Sequence, residues 1–297
     1  MTRLLPATGS GLDDAVRLLA AGRLIGMPTE TVYGLAADAT NPAAVAAIYA
    51  AKGRPQFNPL ISHVADLAAA EREGIFDDQA RALAHAFWPG PLTLVVPRAA
   101  TGRTVDLARA GLESIGLRMP SHPVAQELLR AFGKPVSAPS ANRSGHVSPT
   151  TAAHVLADLE GRIDAVLDGG PAEAGLESTI AGCMDGQVWL LRAGVITRQM
   201  LADVLGGNVL DPDRPDDDTA PVAPGRLSSH YAPETPVRLN ATAIMPGEAA
   251  LCFGRPVPDR IDQAVAVHQL SESGNLVEAA SRLYDSLRKL DKTGACA

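Results

Sequence analysis

The stretch Leu24-Ile25-Gly26-Met27-Pro28-Thr29-Glu30-Thr31-Val32-Tyr33-Gly34-Leu35, continued by Ala36-Ala37-Asp38-Ala39-Thr40-Asn41-Pro42 and the alanine-rich run Ala43 to Ala51, decides the fold class. Leu24 to Met27 is a short apolar run stopped by Pro28, which is a strand signal. Asn41 and Pro42 supply an N-cap and a first-turn proline, so Ala43 to Ala51 reads as a helix. Between the two lies a loop rich in hydroxyls. A strand, a polar loop at its end and a helix form the repeating unit of an α/β domain.

Outward from this unit the alternation continues to about Gly206. Strands are expected at Leu60 to Val64, Leu92 to Val96, Ile115 to Met119, Ala165 to Leu167 and Val188 to Leu191. Asp77 can cap a helix ending at Trp88, and Pro123 to Phe132 is closed by Gly133, a residue suited to a left-handed C-terminal position. Residues 207–236, GNVLDPDRPDDDTAPVAPGRLSSHYAPETP, break the pattern with proline, glycine and aspartate and read as a linker. Residues 237–297 alternate again, with strands at Val237 to Leu239, Ala249 to Phe253 and Ala264 to Val267 and a helix from Leu276 to Leu290. This second α/β unit is so small that it is expected to pack on the first, which spans residues 1–206.

Composition narrows the function classes. With 297 residues, 46% hydrophobic and 20% charged, the chain is neither disordered nor a disulfide-stapled mini-protein. Lys and Arg number 26 against 33 Asp and Glu, a net charge of −7, so no global field draws it onto nucleic acid or an anionic membrane. Any phosphate site must be local, and strong direct binding of tRNA is not expected. Aromatics at 4% disfavour a base-stacking platform. No apolar run reaches membrane-spanning length, and Pro6 with the Gly/Ser cluster after it interrupts any signal-peptide core. The three cysteines, Cys183, Cys252 and Cys296, are widely separated and odd in number, as expected in a reducing, cytoplasmic compartment.

Four polar clusters fall at the ends of expected strands, where α/β sheets place their sites. The first is the Pro28 to Leu35 loop, which could equally begin a helix or a turn. The second is Lys52-Gly53-Arg54-Pro55 with Asn58, Pro59 and His63. Its cations could be bland partners of a helix C-terminus, or could grip polyphosphate, Lys as a point charge and Arg as a fork. The third is Ser137-Ala138-Pro139-Ser140-Ala141-Asn142-Arg143-Ser144-Gly145 with Ser148-Pro149-Thr150. Its small and hydroxyl residues suit a backbone anion site or a plain surface turn, and it lacks P-loop spacing. The fourth comprises Arg118, Ser178 and Arg192, in or beside apolar strands. An arginine there requires an anionic ligand or a buried carboxylate.

In this order PTETVYGLAAD, KGRPQFNPL, GLRMP, SAPSANRSG with its trailing SPT, ESTI and LLRAG resemble the L-threonylcarbamoyladenylate synthase family, and APGRLSSHYAP resembles the SPGxxxxHYxP element of its long, two-domain form. The resemblance covers nearly the whole chain. It implies a YrdC-like twisted mixed sheet with a concave active-site cavity, followed by a small Rossmann-like α/β domain. The implied reaction joins L-threonine, bicarbonate and ATP into threonylcarbamoyl-AMP and pyrophosphate. The product then serves tRNA-threonylcarbamoyl transferase proteins, which modify the adenosine beside the anticodon.

Carried over by position, Thr31, His63, Arg118, Ala138 and Ser178 are expected at L-threonine. Arg54, Asn58, Ser114, Ser140, Asn142, Ser148 and Arg192 are expected at ATP, with Lys52 and Arg54 as the catalytic cations at the phosphates. Tyr231 belongs to the linker segment that the resemblance implies closes over the site. Mg²⁺ is expected to be held mainly through the ATP phosphates, since dedicated protein ligands are not evident.

Two departures stand out: Ala223 replaces the serine of SPG, and the chain stops at Lys292-Thr293-Gly294-Ala295-Cys296-Ala297 where the family continues with a strand and a helix. The second unit therefore reads as truncated. The alternatives are an RNA- or tRNA-binding module without adenylation, or a carbamoyl-adenylate-forming carbamoyl transferase of the hydrogenase-maturation kind. The second would bring zinc-finger and acylphosphatase-like segments that this sequence lacks.

Overall fold

The structure, a computed structural model, describes residues 1–54, 58–212 and 232–297. In chain order its first unit contains β1 (Arg3–Pro6), α1 (Ser10–Ala20), β2 (Ile25–Met27), β3 (Gly34–Asp38), α2 (Pro42–Lys52), β4 (Ile61–His63), α3 (Leu67–Glu73) and α4 (Asp78–Phe87). There follow β5 (Leu92–Pro97), β6 (Ser114–Arg118), α5 (Pro123–Phe132), β7 (Val136–Ser137), α6 (Ala152–Leu159), β8 (Ala165–Asp168), β9 (Thr179–Met184), β10 (Gln187–Arg192) and α7 (Arg198–Leu205). The C-terminal unit has β11 (Ala250–Cys252), β12 (Val267–Gln269) and α8 (Leu276–Asp291).

The expected helix starts form as their sequences dictate. Asn41 Oδ1 accepts from the backbone N–H groups of Ala43 and Ala44, and Gly53 closes α2 in a left-handed conformation. Asp77 caps α4 through Ala80 N, and Gly133 ends α5 at φ 70°. Four strands escape the hydrophobic pattern. β3 is Gly-Leu-Ala-Ala-Asp, without a β-branched residue, β7 has only two residues, β9 carries an internal glycine, and β1 runs into Pro6.

Ten strands form one mixed sheet in the order β1-β8-β2-β3-β7-β4-β6-β5-β9-β10. Side-chain alternation along its strands sends residues to opposite faces. Ile25, Met27 and Ala36 pack on α1 and α5. Leu24, Leu35 and Ala37 pack on α2 and α6. In the other half Leu92, Leu94, Ile115, Leu117 and Ala181 pack on α3, α4 and α7. The opposite face of that half carries Ile61, Val95, Ile180 and Leu191 with no helical residue among them. Helices on both faces at one end and on one face at the other leave a concavity over β4, β6, β5 and β9.

The C-terminal unit corrects the sequence in two places. Val237 to Leu239 forms no strand, and its valine and leucine are exposed. The expected strand at Ala264 to Val267 sits later, as β12, which pairs in parallel with β11 through Ala250 and Val267. These two short strands enclose a small core of Ile244, Ala250 and Cys252. The unit rests on the first: Leu283, Tyr284 and Leu287 of α8 pack against Val32, Val147 and Leu176. Among the described residues no helix is long and apolar enough to cross a membrane.

Because α2 carries Lys52 at its far end, its first turn bears on the site. Replacing the cap by Asn41→Ala is expected to cost about 1 kcal/mol, read as a lowered urea midpoint with an unchanged denaturant slope.

Candidate active site

Strand direction explains why residues far apart in sequence meet. β4 and β6 are parallel, with His63 opposite Arg118 at their C-terminal ends. β7 is antiparallel to β4, and Ala138 follows its last residue. β5 is antiparallel to β6, and β9 is parallel to β5 in register Leu92 to Thr179, so Ser178 precedes β9 at the same sheet edge. β10 returns antiparallel to β9 and delivers Arg192 there. Thr29, Thr31, Val32, Gly34, Arg54, Ile61, His63, Arg118, Ala138, Pro139, Ser140, Glu177, Ser178 and Arg192 line the resulting cleft, whose empty space including its open mouth is about 510 Å³.

The cleft floor is organised by a buried ion pair. Arg118 Nη2 lies 2.6 Å from Glu30 Oε1, and both side chains are less than a tenth exposed. Arg118 Nη1 donates to Thr31 Oγ1 at 2.8 Å and Nε donates to Gly90 O at 3.2 Å. The second Glu30 oxygen accepts from Ser121 N at 3.1 Å. Thr29 Oγ1 sits 2.9 Å from Thr31 Oγ1, so the two hydroxyls and the guanidinium form one network. The carboxylate that Arg118 demanded is thus Glu30. It is the central residue of the Thr-Glu-Thr motif, a position the sequence reading leaves without a role.

Opposite stands a second network. Ser178 Oγ is 2.7 Å from Thr93 Oγ1, and Arg192 Nη2 donates to Ser178 O at 2.9 Å and to its Oγ at 3.1 Å. The Arg-Ala-Gly turn after β10 comes so close that a Cβ on Gly194 would lie 2.5 Å from Thr179 N and 2.6 Å from Glu177 O. Only glycine fits there, which accounts for the LLRAG pattern.

Lys52 is buried and its ammonium donates to Ser140 O and Asn142 O. Burial first, and then Arg54 beside it, hold its pKa well below the usual lysine value. It fastens the 140–142 loop and is not part of the cleft lining. Asn142 likewise turns inward, its Nδ2 donating to Arg143 O and His146 O at 2.8 Å each. Ser148 is fully buried and donates to Glu177, a cleft-lining carboxylate that the sequence did not single out. Ser114 lines a small adjoining hollow with Thr93, Gly116 and Arg109.

All five residues expected at L-threonine therefore meet in one cleft, as do Arg54, Ser140 and Arg192 of the set expected at ATP. Asn58 is buried close by, and Asn58 Oδ1 and His63 Nδ1 find no hydrogen-bond partner among the described residues. Tyr231 and its proposed closing role lie outside the described residues.

Two consequences are measurable. Glu30→Ala leaves a buried arginine unpaired and is expected to cost about 3–5 kcal/mol of unfolding free energy in urea titration. Burial and Arg118 push His63 down to about 3, and burial followed by Arg288 pushes His154 down to about 4. Both imidazoles stay neutral in the folded chain while the unfolded chain protonates them near pH 6.5. Their contribution is complete above that pH and is lost as pH falls toward 4 and then 3. His63→Gln is expected to flatten the acid limb of the unfolding free energy against pH, read from urea titrations, by up to about 1.4 kcal/mol per pH unit.

Comparison with known proteins bears on the family and the fold. The family described as "Telomere recombination" matches residues 17–194, and "Threonylcarbamoyl-AMP synthase, C-terminal domain" matches residues 196–297. Threonylcarbamoyl-AMP synthase of Bacillus subtilis is 43% identical over 307 residues, covering 95% of this chain and 84% of that protein. The Pyrococcus abyssi protein of the same name is 41% identical over 228 residues, 75% of this chain and 66% of its own. The crystal structure of P. abyssi Sua5 complexed with L-threonine superposes with a TM-score of 0.86 at 31% identity, covering 99% of this chain and 90% of that one. Escherichia coli YciO, at 22% identity and a TM-score of 0.59 over 66% of this chain and 97% of its own, shares the fold. With its catalytic-unit and C-terminal matches in sequence order, this chain belongs to the threonylcarbamoyl-AMP synthase family.

Proposed function

We propose that the chain joins L-threonine, bicarbonate and ATP into threonylcarbamoyl-AMP and pyrophosphate in the cleft at the end of the ten-stranded sheet. The observation that carries this reading is the meeting of Thr31, His63, Arg118, Ala138 and Ser178 with Arg54, Ser140 and Arg192 around one concavity. The threonine amine adds to bicarbonate with loss of water, giving a carbamate. A carbamate oxygen then bonds to the α-phosphorus of ATP as the bond to the bridging oxygen breaks and pyrophosphate leaves. No side chain needs to become covalently attached. The protein's work is to align two anions and to neutralise charge that shifts to the leaving group.

The two networks divide that work. The Thr29, Thr31 and Arg118 hydroxyl and guanidinium groups face the cleft beside neutral His63 and suit a small zwitterionic amino acid. Arg54 and Arg192 suit phosphate oxygens. Among the described residues no three His, Cys, Asp or Glu side chains converge as a metal cage, and both oxygens of Glu177 already accept from Ser148 and Tyr284. A divalent cation such as Mg²⁺ would be carried on ATP phosphates and water, where it would screen the departing pyrophosphate. The adenylate would pass to tRNA-threonylcarbamoyl transferase proteins for transfer to the adenosine beside the anticodon.

The test is pyrophosphate release from ATP. Release is expected only when L-threonine and bicarbonate are both present. In Lys52→Ala, which loses the charge-assisted hydrogen bonds that fasten the 140–142 loop, kcat/KM is expected to fall about tenfold or more. Folded protein that releases no pyrophosphate in any combination, yet binds tRNA with steep salt dependence, would overturn the reading in favour of a binding module.

A further inference from the structure

Glu177 is a carboxylate that lines the cleft, which is an unfavourable group to place where a triphosphate would sit. Its two oxygens are turned to different parts of the molecule. Oε1 accepts from Ser148 Oγ, and Oε2 accepts from Tyr284 Oη of α8 in the C-terminal unit. All three side chains are buried. Directly after Glu177 comes Ser178, whose carbonyl and hydroxyl hold Arg192. The hydroxyl of one tyrosine in the second unit thus ends a chain of contacts that reaches a residue expected at ATP and a cleft-lining arginine.

The surrounding fit makes this contact specific. Gly175 has φ +68°, and a Cβ there would lie 2.6 Å from Ala280 O and Ser281 Cα, so α8 rests directly on the backbone that leads to Glu177. Arg288, one turn beyond Tyr284, donates to Val147 O and pairs with Asp158 at 3.0 Å. The tyrosine ring itself packs with Val32 and Val147, the residue before Ser148.

We propose that Tyr284 is a positioning residue for the nucleotide half of the cleft, acting through the Glu177 carboxylate on Ser148, so that the C-terminal unit sets the affinity for ATP. The physical basis is charge placement. Donors from Ser148 and Tyr284 draw the carboxylate back and satisfy both oxygens, which lowers its repulsion of phosphate. Without the tyrosine hydroxyl, one oxygen loses its donor and turns its charge toward the cleft. The inference rests on the adenylate-forming reading above for the assignment of Ser148 to the nucleotide.

The experiment uses the full chain and Tyr284→Phe, which removes the hydroxyl and keeps the ring. KM for ATP is expected to rise about tenfold, with kcat, the calorimetric Kd for L-threonine and the thermal midpoint little changed. Glu177→Gln removes the charge, and adding Tyr284→Phe to it is expected to raise KM for ATP no further. An ATP KM within about twofold of wild type in Tyr284→Phe would overturn the proposal. So would a parallel loss of ATP and threonine affinity with a lowered midpoint, which marks a structural role. Calorimetric ATP binding separates this from the reaction itself. Wild type that binds ATP about tenfold more tightly than Tyr284→Phe but makes no adenylate keeps the relay and discards the reaction. Wild type that binds no ATP discards both.

Discussion

An arginine at the end of a buried strand has to be neutralised from within the protein, and here the neutralising group comes from the loop between β2 and β3. Unpaired, a buried guanidinium would cost more than the fold can spare. Paired with Glu30, Arg118 fixes the loop that carries Thr29 and Thr31 against the end of β6. The same carboxylate holds Ser121 N, so the turn leading from β6 toward α5 is set by the same contact. Position of the cleft floor follows from charge compensation, and the hydroxyls that face the ligand space are oriented as a by-product.

The cations are otherwise divided between structure and cleft. Lys52 is sealed under the 140–142 loop and holds the Ser140 and Asn142 carbonyls, which makes this serine-containing segment a fixed wall. Arg54 and Arg192 line the open space. Arg192 is braced by the carbonyl and hydroxyl of Ser178, so its guanidinium is oriented before any ligand arrives. A rigid donor fork loses little freedom on binding an anion, which favours recognition of phosphate over simple attraction to it. The chain keeps a net charge of −7 while concentrating positive charge where two anionic substrates would meet.

The α/β class, the capped helices and the clustering of polar motifs at strand ends were legible in the sequence. Asn41, Asp77 and Gly133 act as their residue types require. Strands β3 and β7 were not legible, because central strands stabilised by neighbours on both sides need neither length nor β-branched residues. The placement of His63, Arg118, Ala138 and Ser178 together was implied by family resemblance alone, since their meeting depends on strand order that no local pattern encodes. Glu30 and Glu177 lie inside the Thr-Glu-Thr and Glu-Ser-Thr-Ile motifs but carry no local mark of their partners. For Glu30 a signal was available elsewhere in the chain: a strand arginine demands a carboxylate. For Glu177 it was not, because its partners Ser148 and Tyr284 lie in two distant segments, one of them in the other unit.

The sheet order has a further bearing on how the chain is born. β1 pairs in parallel with β8, Arg3 beside Ala165, and β2 pairs with the same strand. During synthesis the first strand therefore leaves the ribosome with no partner and waits until residue 165 and its neighbours have followed. Contacts this distant in sequence are slow to close, and an unpaired strand is open to wrong partners in the meantime. The cleft is completed later still, when Arg192 arrives at the end of β10. Strands β2 to β7 can pair with one another before β8 appears, whereas β1 joins the sheet only through β8, so the catalytic unit closes late and from its edge.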